Sequence, residues 1–433
     1  VRGGAAIGPS GPSGLEAALL AREAWLERAS RRWGGLAHAA ALAFIVMLYS
    51  NPQFWWPWFE KLRLAFVTAG VCAGAVLMHR LVSGERIRFG GWGAAPLWAY
   101  LAFIPASLVW TVSPSDTRFA VGEAWKMAVV YVAVQNVVDS RARLRRFLLV
   151  GALASLGPTL GAIEVWWTED ALIDGFRTHW RGAYGDPNRL AMAIIAVLPF
   201  ALYGAVTGRT ARVRALFWGV AAAQIAAIVL THSRSGSVAA AVALLLFLAR
   251  GRGGLVRGAT VAVALAVGLV AFAPDTFWQR QSTLAGDLSE DESVQGRENA
   301  WKVLGVIVDE RPLSGVGAGA FIQAWGPYAP LEAGARRYIA HNILLEIVGE
   351  LGVVAFLLFC AFAGVLLVRL WGIGGDPLVG VEARAVFAAL GGYLVCEMAN
   401  GYSLSWFLYF LFACAAALLR TSGARAALAR EGA

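Results

Sequence analysis

Charge is scarce in this chain. Aspartate, glutamate, lysine and arginine make up 15% of its 433 residues, against roughly 25% in an ordinary soluble domain. A soluble protein of this length needs polar surface that is missing here, so a cytosolic enzyme and a disordered scaffold are both excluded. Lysine is almost missing too. Lys61, Lys126 and Lys302 are the three among 37 basic residues, and the rest are arginine. The four cysteines (Cys72, Cys360, Cys396 and Cys414) lie in or beside apolar runs, with no CxxC pair. That excludes a disulfide-stapled secreted module and a zinc knuckle. The five histidines include no i, i+4 pair and no HxxEH, and there is no DxD. No metal centre is expected, and nothing calls for an organic cofactor.

What is present is apolar. Such residues make up 58% of the chain, and mean hydropathy is +0.61. Twelve apolar runs, from 36–50 to 404–419, can each be extended to the ~20 residues that a membrane-spanning helix needs. The expected fold is an all-α polytopic membrane protein of about 12 transmembrane helices. Residues 1–35 form an N-terminal interfacial segment, amphipathic from Leu15 to Trp33. Residues 36–273 carry helices one to nine, 343–419 carry ten to twelve, and 420–433 are a tail. Between helices nine and ten lies one long loop, 274–342, with nine acidic and six basic residues. Helical spacing of Trp301, Leu304, Val308 and Leu313 predicts a helix there that Pro312 stops.

The +9 charge has two readings, a nucleic-acid patch or cytoplasmic loops. The second is better, because alternate loops collect 23 of the 37 basic residues, as in the run Arg141, Arg143, Arg145 and Arg146. Both termini are then cytoplasmic and 274–342 is external. No nucleic-acid partner is expected, and membrane lipids are.

Several external residues go against that trend. Arg234 lies in the short polar break Thr231–Gly236, Arg181 precedes Gly185-Asp186-Pro187-Asn188, and Arg297 opens the helical part of the long loop. A single arginine at a membrane boundary can snorkel to headgroups. Several converging outside favour an anionic ligand, because guanidinium grips phosphate oxygens two at a time. Asp186 also reads as a helix N-cap with Pro187 in the first turn. His341 enters span ten, where a lone histidine is often a bland interfacial residue but near arginines becomes a general-base candidate. Glu346 and Glu350 follow one turn apart within an apolar run, where a carboxylate is a functional candidate. Gly315-Val316-Gly317-Ala318-Gly319 looks like a phosphate loop but lacks GK[ST], so a close-approach turn fits it better.

In order, these motifs are Arg181–Asn188, Ser233-Arg234-Ser235-Gly236, Gly296-Arg297-x-x-x-Trp301, Arg311–Phe321 and His341-Asn342-x-x-Leu345-Glu346-x-x-x-Glu350-x-Gly352. The set resembles the bacterial O-antigen ligase/O-antigen polymerase superfamily over about 175–355. The resemblance implies a GT-C type glycosyltransferase of the bacterial inner membrane with a periplasmic active site. A ligase would take O-antigen from undecaprenyl pyrophosphate and pass it to lipid A–core oligosaccharide, making lipopolysaccharide. Its motif histidine matches His341 and its essential arginines best match Arg234 and Arg297, with Arg181 a further candidate. These would hold the pyrophosphate without a metal while His341 takes the acceptor proton, giving inversion. Glu346, Glu350, Asp186 and Asn188 are candidates for orienting the site. The alternatives are an O-antigen polymerase, or a polytopic lipid or glycan transporter. A two-bundle transporter usually has its main loop cytoplasmic after span six, and here it is external after span nine.

Overall fold

Apolar runs of this length fold as helices because, in hydrocarbon, each segment must satisfy its own N–H and C=O groups. A computed structural model describes residues 14–249, 277–278, 292–334 and 336–431. The described residues hold fifteen α-helices and no β-strand, with one isolated antiparallel bridge between Ile173 and Arg177. The first ten helices are α1 (Gly14–Ser50), α2 (Leu64–Ser83), α3 (Ala95–Ala106), α4 (Pro114–Val137), α5 (Arg141–Ala154), α6 (Leu156–Thr168), α7 (Pro187–Ile195), α8 (Leu198–Thr207), α9 (Ala211–Leu230) and α10 (Arg234–Ala249). Five more follow, α11 (Glu292–Glu310), α12 (Phe321–Tyr328), α13 (Ile343–Ile373), α14 (Gly380–Glu397) and α15 (Trp406–Glu431).

Seven helical stretches among the described residues are long and apolar enough to cross a membrane. They are Leu15–Ser50, Pro57–Ser83, Arg141–Thr168, Pro187–Thr207, Ala211–Leu230, Ile343–Ile373 and Trp406–Gly423. The expected twelve is met in part, for identifiable reasons. Helix α4 carries Asp116, Arg118, Glu123 and Lys126. Helix α14 carries Glu382, Arg384 and Glu397 within 18 residues. The apolar stretches Ala95–Val109 and Arg234–Ala249 are short. The expected ninth run, 259–273, lies outside the described residues.

Two expected spans are each broken in the middle. Residues 141–168 fold as α5 then α6, and 187–207 as α7 then α8. Pro158 and Pro199 stand four residues after Ala154 and Ile195, the last residues of α5 and α7. A proline has no N–H for the carbonyl four residues back, and its ring collides with it. The expected interfacial segment and first span are instead continuous in α1, a helix of 37 residues.

The large core gathers buried faces of α1 through α10 and α13 through α15. Its outer surface is apolar as well: Phe66, Trp125, Trp167 and Val368 are each more than 70% exposed, as a lipid-facing surface requires. A second, smaller core lies over one end of the bundle. There Ala300, Val303, Leu304 and Ile307 of α11 pack with Phe321, Ala324 and Trp325 of α12. The expected helix is thus present and ends just before Pro312, but its buried stripe is 300/303/304/307. Trp301 and Leu313, which were expected on that face, are exposed.

Candidate functional site

Three helices begin at the end of the bundle beneath α11. Helix α7 starts after Asp186, whose carboxylate accepts the amides of Asn188 and Arg189 at 2.9 and 3.0 Å. Helix α13 starts after Asn342, whose side-chain oxygen accepts the amides of Leu344 and Leu345 at 2.9 and 3.2 Å. Helix α10 starts at Arg234 itself. Helix N-termini carry partial positive charge, so this end of the molecule suits an anion before any side chain is counted.

The starts of α7 and α10 are tied together. Ser233 Oγ donates to Asn188 Oδ1 at 2.8 Å, and Arg177 Nη2 donates to the same oxygen at 3.2 Å. Arg177 Nε also donates to the Thr231 carbonyl at 3.2 Å. Arg177 thereby clamps the 168–188 loop onto the polar break Thr231–Gly236, and Asn188 serves as the bolt between them. Arg234 follows Ser233 and is half-buried at this junction.

His341 sits where the long loop turns into α13. Its backbone is left-handed, φ 51°, a conformation that few non-glycine residues adopt and that recurs at functional sites. Burial, and next the Arg297 guanidinium, lower its imidazole from 6.5 to about 4, with Asp186 acting the other way. His341, Arg297 and Asp186 are therefore close enough to feel one another, although they lie far apart in the chain. At neutral pH the ring is uncharged and can accept a proton.

A short loop between α14 and α15 organises this group. Arg297 Nη2 donates to the Ala399 carbonyl at 3.4 Å. Gly401 lies against the His341–Asn342 backbone, so that a Cβ there would stand 3.3 Å from the His341 nitrogen. The Arg189 guanidinium stacks over the Tyr402 ring at 4.2 Å, a cation–π contact. Ser403 donates its amide and its hydroxyl to Glu346, at 3.1 and 2.5 Å. The residues that carry this work, Tyr402, Ser403 and Arg177, were not among the expected ones. Asn400-Gly401, a turn signal between two apolar runs, was the available clue to the first two.

Glu346 and Glu350 spend their oxygens on backbone and hydroxyl donors, not on the His341 ring. Glu350 accepts the Gly319 and Phe321 amides at 2.7 and 3.3 Å. The glycine loop itself has no free amide. Gly315 donates to the Arg311 carbonyl, Val316 to Gly349 and Gly317 to Glu350. Ala318 donates to Ser107 Oγ and Ala320 to the Gly317 carbonyl. With Gly319 and Phe321 bound to Glu350, seven consecutive amides are satisfied inside the protein. The loop is a strut between α13 and the segment before α4, and it offers nothing to a phosphate.

Arg181 is placed elsewhere. It is exposed, its Nη1 donates to the Phe54 carbonyl at 2.7 Å, and its guanidinium lies 5.3 Å from the Trp180 ring centre. These contacts face the 51–63 loop, and none of them joins it to His341, Arg297 or Arg234.

Residues 219–360 match the family model described as O-antigen ligase. That stretch includes Arg234, Arg297, the glycine strut and His341, and stops short of the 399–403 loop. Among curated proteins, none matches the chain.

Proposed function

We propose, from its place in the O-antigen ligase/polymerase family, that the chain is a membrane glycosyltransferase acting as an O-antigen ligase. It moves a polysaccharide from undecaprenyl pyrophosphate to lipid A–core oligosaccharide at the periplasmic face of the inner membrane. The acceptor hydroxyl oxygen attacks the anomeric carbon, and the bond from that carbon to the pyrophosphate oxygen breaks. The hydroxyl proton goes to His341, and undecaprenyl pyrophosphate leaves with the bonding electrons. A single displacement of this kind inverts the anomeric centre.

The observation that carries this reading is an uncharged, half-buried His341 within electrostatic reach of Arg297. Arg297 and Arg234 are assigned to the pyrophosphate, where fixed cations stabilise the charge that develops as the glycosidic bond breaks. Arg189, stacked on Tyr402, is a better third candidate than Arg181. An already activated donor needs no nucleotide.

The test is a deletion strain complemented with wild type or His341→Ala, its lipopolysaccharide resolved on a gel. A ligase deletion leaves bare core while undecaprenyl-linked polymer accumulates, and His341→Ala behaves as the deletion. Core carrying a single repeat in the deletion strain would overturn the ligase assignment in favour of a polymerase. Restoration of full-length lipopolysaccharide by His341→Ala would remove His341 from the mechanism.

A further inference from the structure

The opposite end of the bundle holds a second cationic feature. Helix α13 runs from the His341 end to Leu366 over 23 residues, about 35 Å at 1.5 Å per residue. That is roughly one hydrocarbon thickness. There, between the α2–α3 connection, α13 and α15, lies a cavity of about 760 Å³, within the 300–1,000 Å³ or so typical of small-ligand sites. Arg88, Arg369 and Arg420 line it together with Phe89, Phe362 and Leu366.

Of these three arginines Arg88 is ion-paired, with Glu85, and the charges of the other two are not matched in that way. Glu85 is engaged by Arg80 and Arg88, Asp139 by Arg143, and Glu382 by Arg141. Arg420 donates only to the backbone carbonyls of Gln135 and Val138, at 3.0 and 2.7 Å. Among the described residues neither Arg369 nor Arg420 has a carboxylate within 4.0 Å. Arg88 and Arg420 line an adjoining cavity of about 520 Å³ as well, together with Asp139.

We propose that this cavity binds an anionic phospholipid of the leaflet facing away from His341. Arg369, Arg420 and Arg88 hold its phosphate, and the first part of its acyl chains lies on Phe89, Phe362 and Leu366. A lipid is favoured over free phosphate because the arginines share the cavity with this apolar wall. The mouth also adjoins surface built for hydrocarbon, where Val365, Val368 and Phe89 are 44%, 71% and 54% exposed. Basic pockets between helix ends are a recurrent means of holding such headgroups. The inference does not depend on the reaction at the other end.

The full chain, purified in neutral detergent, is titrated with dioleoyl phosphatidylglycerol, with dioleoyl phosphatidylcholine or with inorganic phosphate, and retained lipid is read by native mass spectrometry. Phosphatidylglycerol should be retained over phosphatidylcholine, and Arg369→Gln should weaken that preference about fivefold, the worth of one surface charge. Arg369 is exposed and makes no ion pair, so this variant folds; Arg420→Gln should act in the same direction. Arg28→Gln, on the exposed part of α1, should change nothing. Unchanged retention in Arg369→Gln overturns the proposal, as does an equal loss in Arg28→Gln, which would mean diffuse surface charge. Displacement of the lipid by inorganic phosphate at equal concentration would assign the site to the free anion and overturn it too.

Discussion

His341 has the conformation of a held residue and the acidity of a shielded one. An imidazole near 4 is ready to accept a proton at neutral pH but is a weak base. A bound pyrophosphate would change that, because negative charge beside the ring offsets Arg297 and favours the imidazolium. The sign gives a prediction. The free enzyme needs His341 neutral, so the acid limb of kcat/KM falls near pH 4, while the limb of kcat, set in the complex, lies at higher pH. Steady-state pH profiles check it, and coincident limbs would show that the substrate does not tune the base. His341→Ala should cost about 10²–10⁴-fold in transfer. Arg297→Lys keeps charge but loses the paired geometry, and should raise KM for the lipid donor and lower kcat while activity survives excess EDTA. Wild-type kinetics in that variant, or activity lost to EDTA and restored by a divalent ion, would reject the arginine-held pyrophosphate. His341, Arg297 and Asp186 were legible in the sequence because charge at an apolar boundary is unusual wherever it occurs. Arg181 is a further candidate on the same grounds, and its contacts with the Phe54 carbonyl and the Trp180 ring separate it from the group. Arg177 was hidden, since its role depends on a partner 54 residues away.

At the scale of elements, the glycine strut is the joint between the outer α11–α12 layer and the bundle. Gly317 has φ 103°, and a Cβ there would stand 2.2 Å from Thr111 Oγ1. Gly352, at φ 80°, kinks α13 where the Leu313 carbonyl comes within 2.1 Å of its ideal Cβ position. Alanine at either site combines a disfavoured backbone with a collision, at a cost of about 1–3 kcal/mol or more. The thermal midpoint of Gly317→Ala and Gly352→Ala in detergent should fall clearly below that of Gly326→Ala, where nothing lies within 4 Å. Equal midpoints would mean that the joint carries no load. The helical character of α11 and its stop before Pro312 could be read from spacing and proline alone. The buried stripe could not, because α11 packs on α12 and the start of α13 instead of on the bundle's apolar interior. The proline breaks in two expected spans were readable in principle, as Pro158 and Pro199 stand in plain view in apolar runs.

The whole molecule has two chemically different ends. His341, Arg297 and three helix starts lie at one. Arg88, Arg369 and Arg420 lie at the other, in line with the excess of arginine in alternate loops. Basic loops stay on the cytoplasmic side of a membrane, so the His341 end should face outward. Single cysteines can read this, because the native ones give little background: Cys72, Cys396 and Cys414 are buried and Cys360 is half-buried. A cysteine in place of exposed Glu332, in the outer layer, should react with a membrane-impermeant maleimide in intact spheroplasts. One in place of Arg209, between α8 and α9, should react only after the membrane is opened. The reverse pattern would turn the molecule over. It would put His341 on the side where polymerised glycan is absent, and the ligase reading would fall with it even if every contact around His341 were correct.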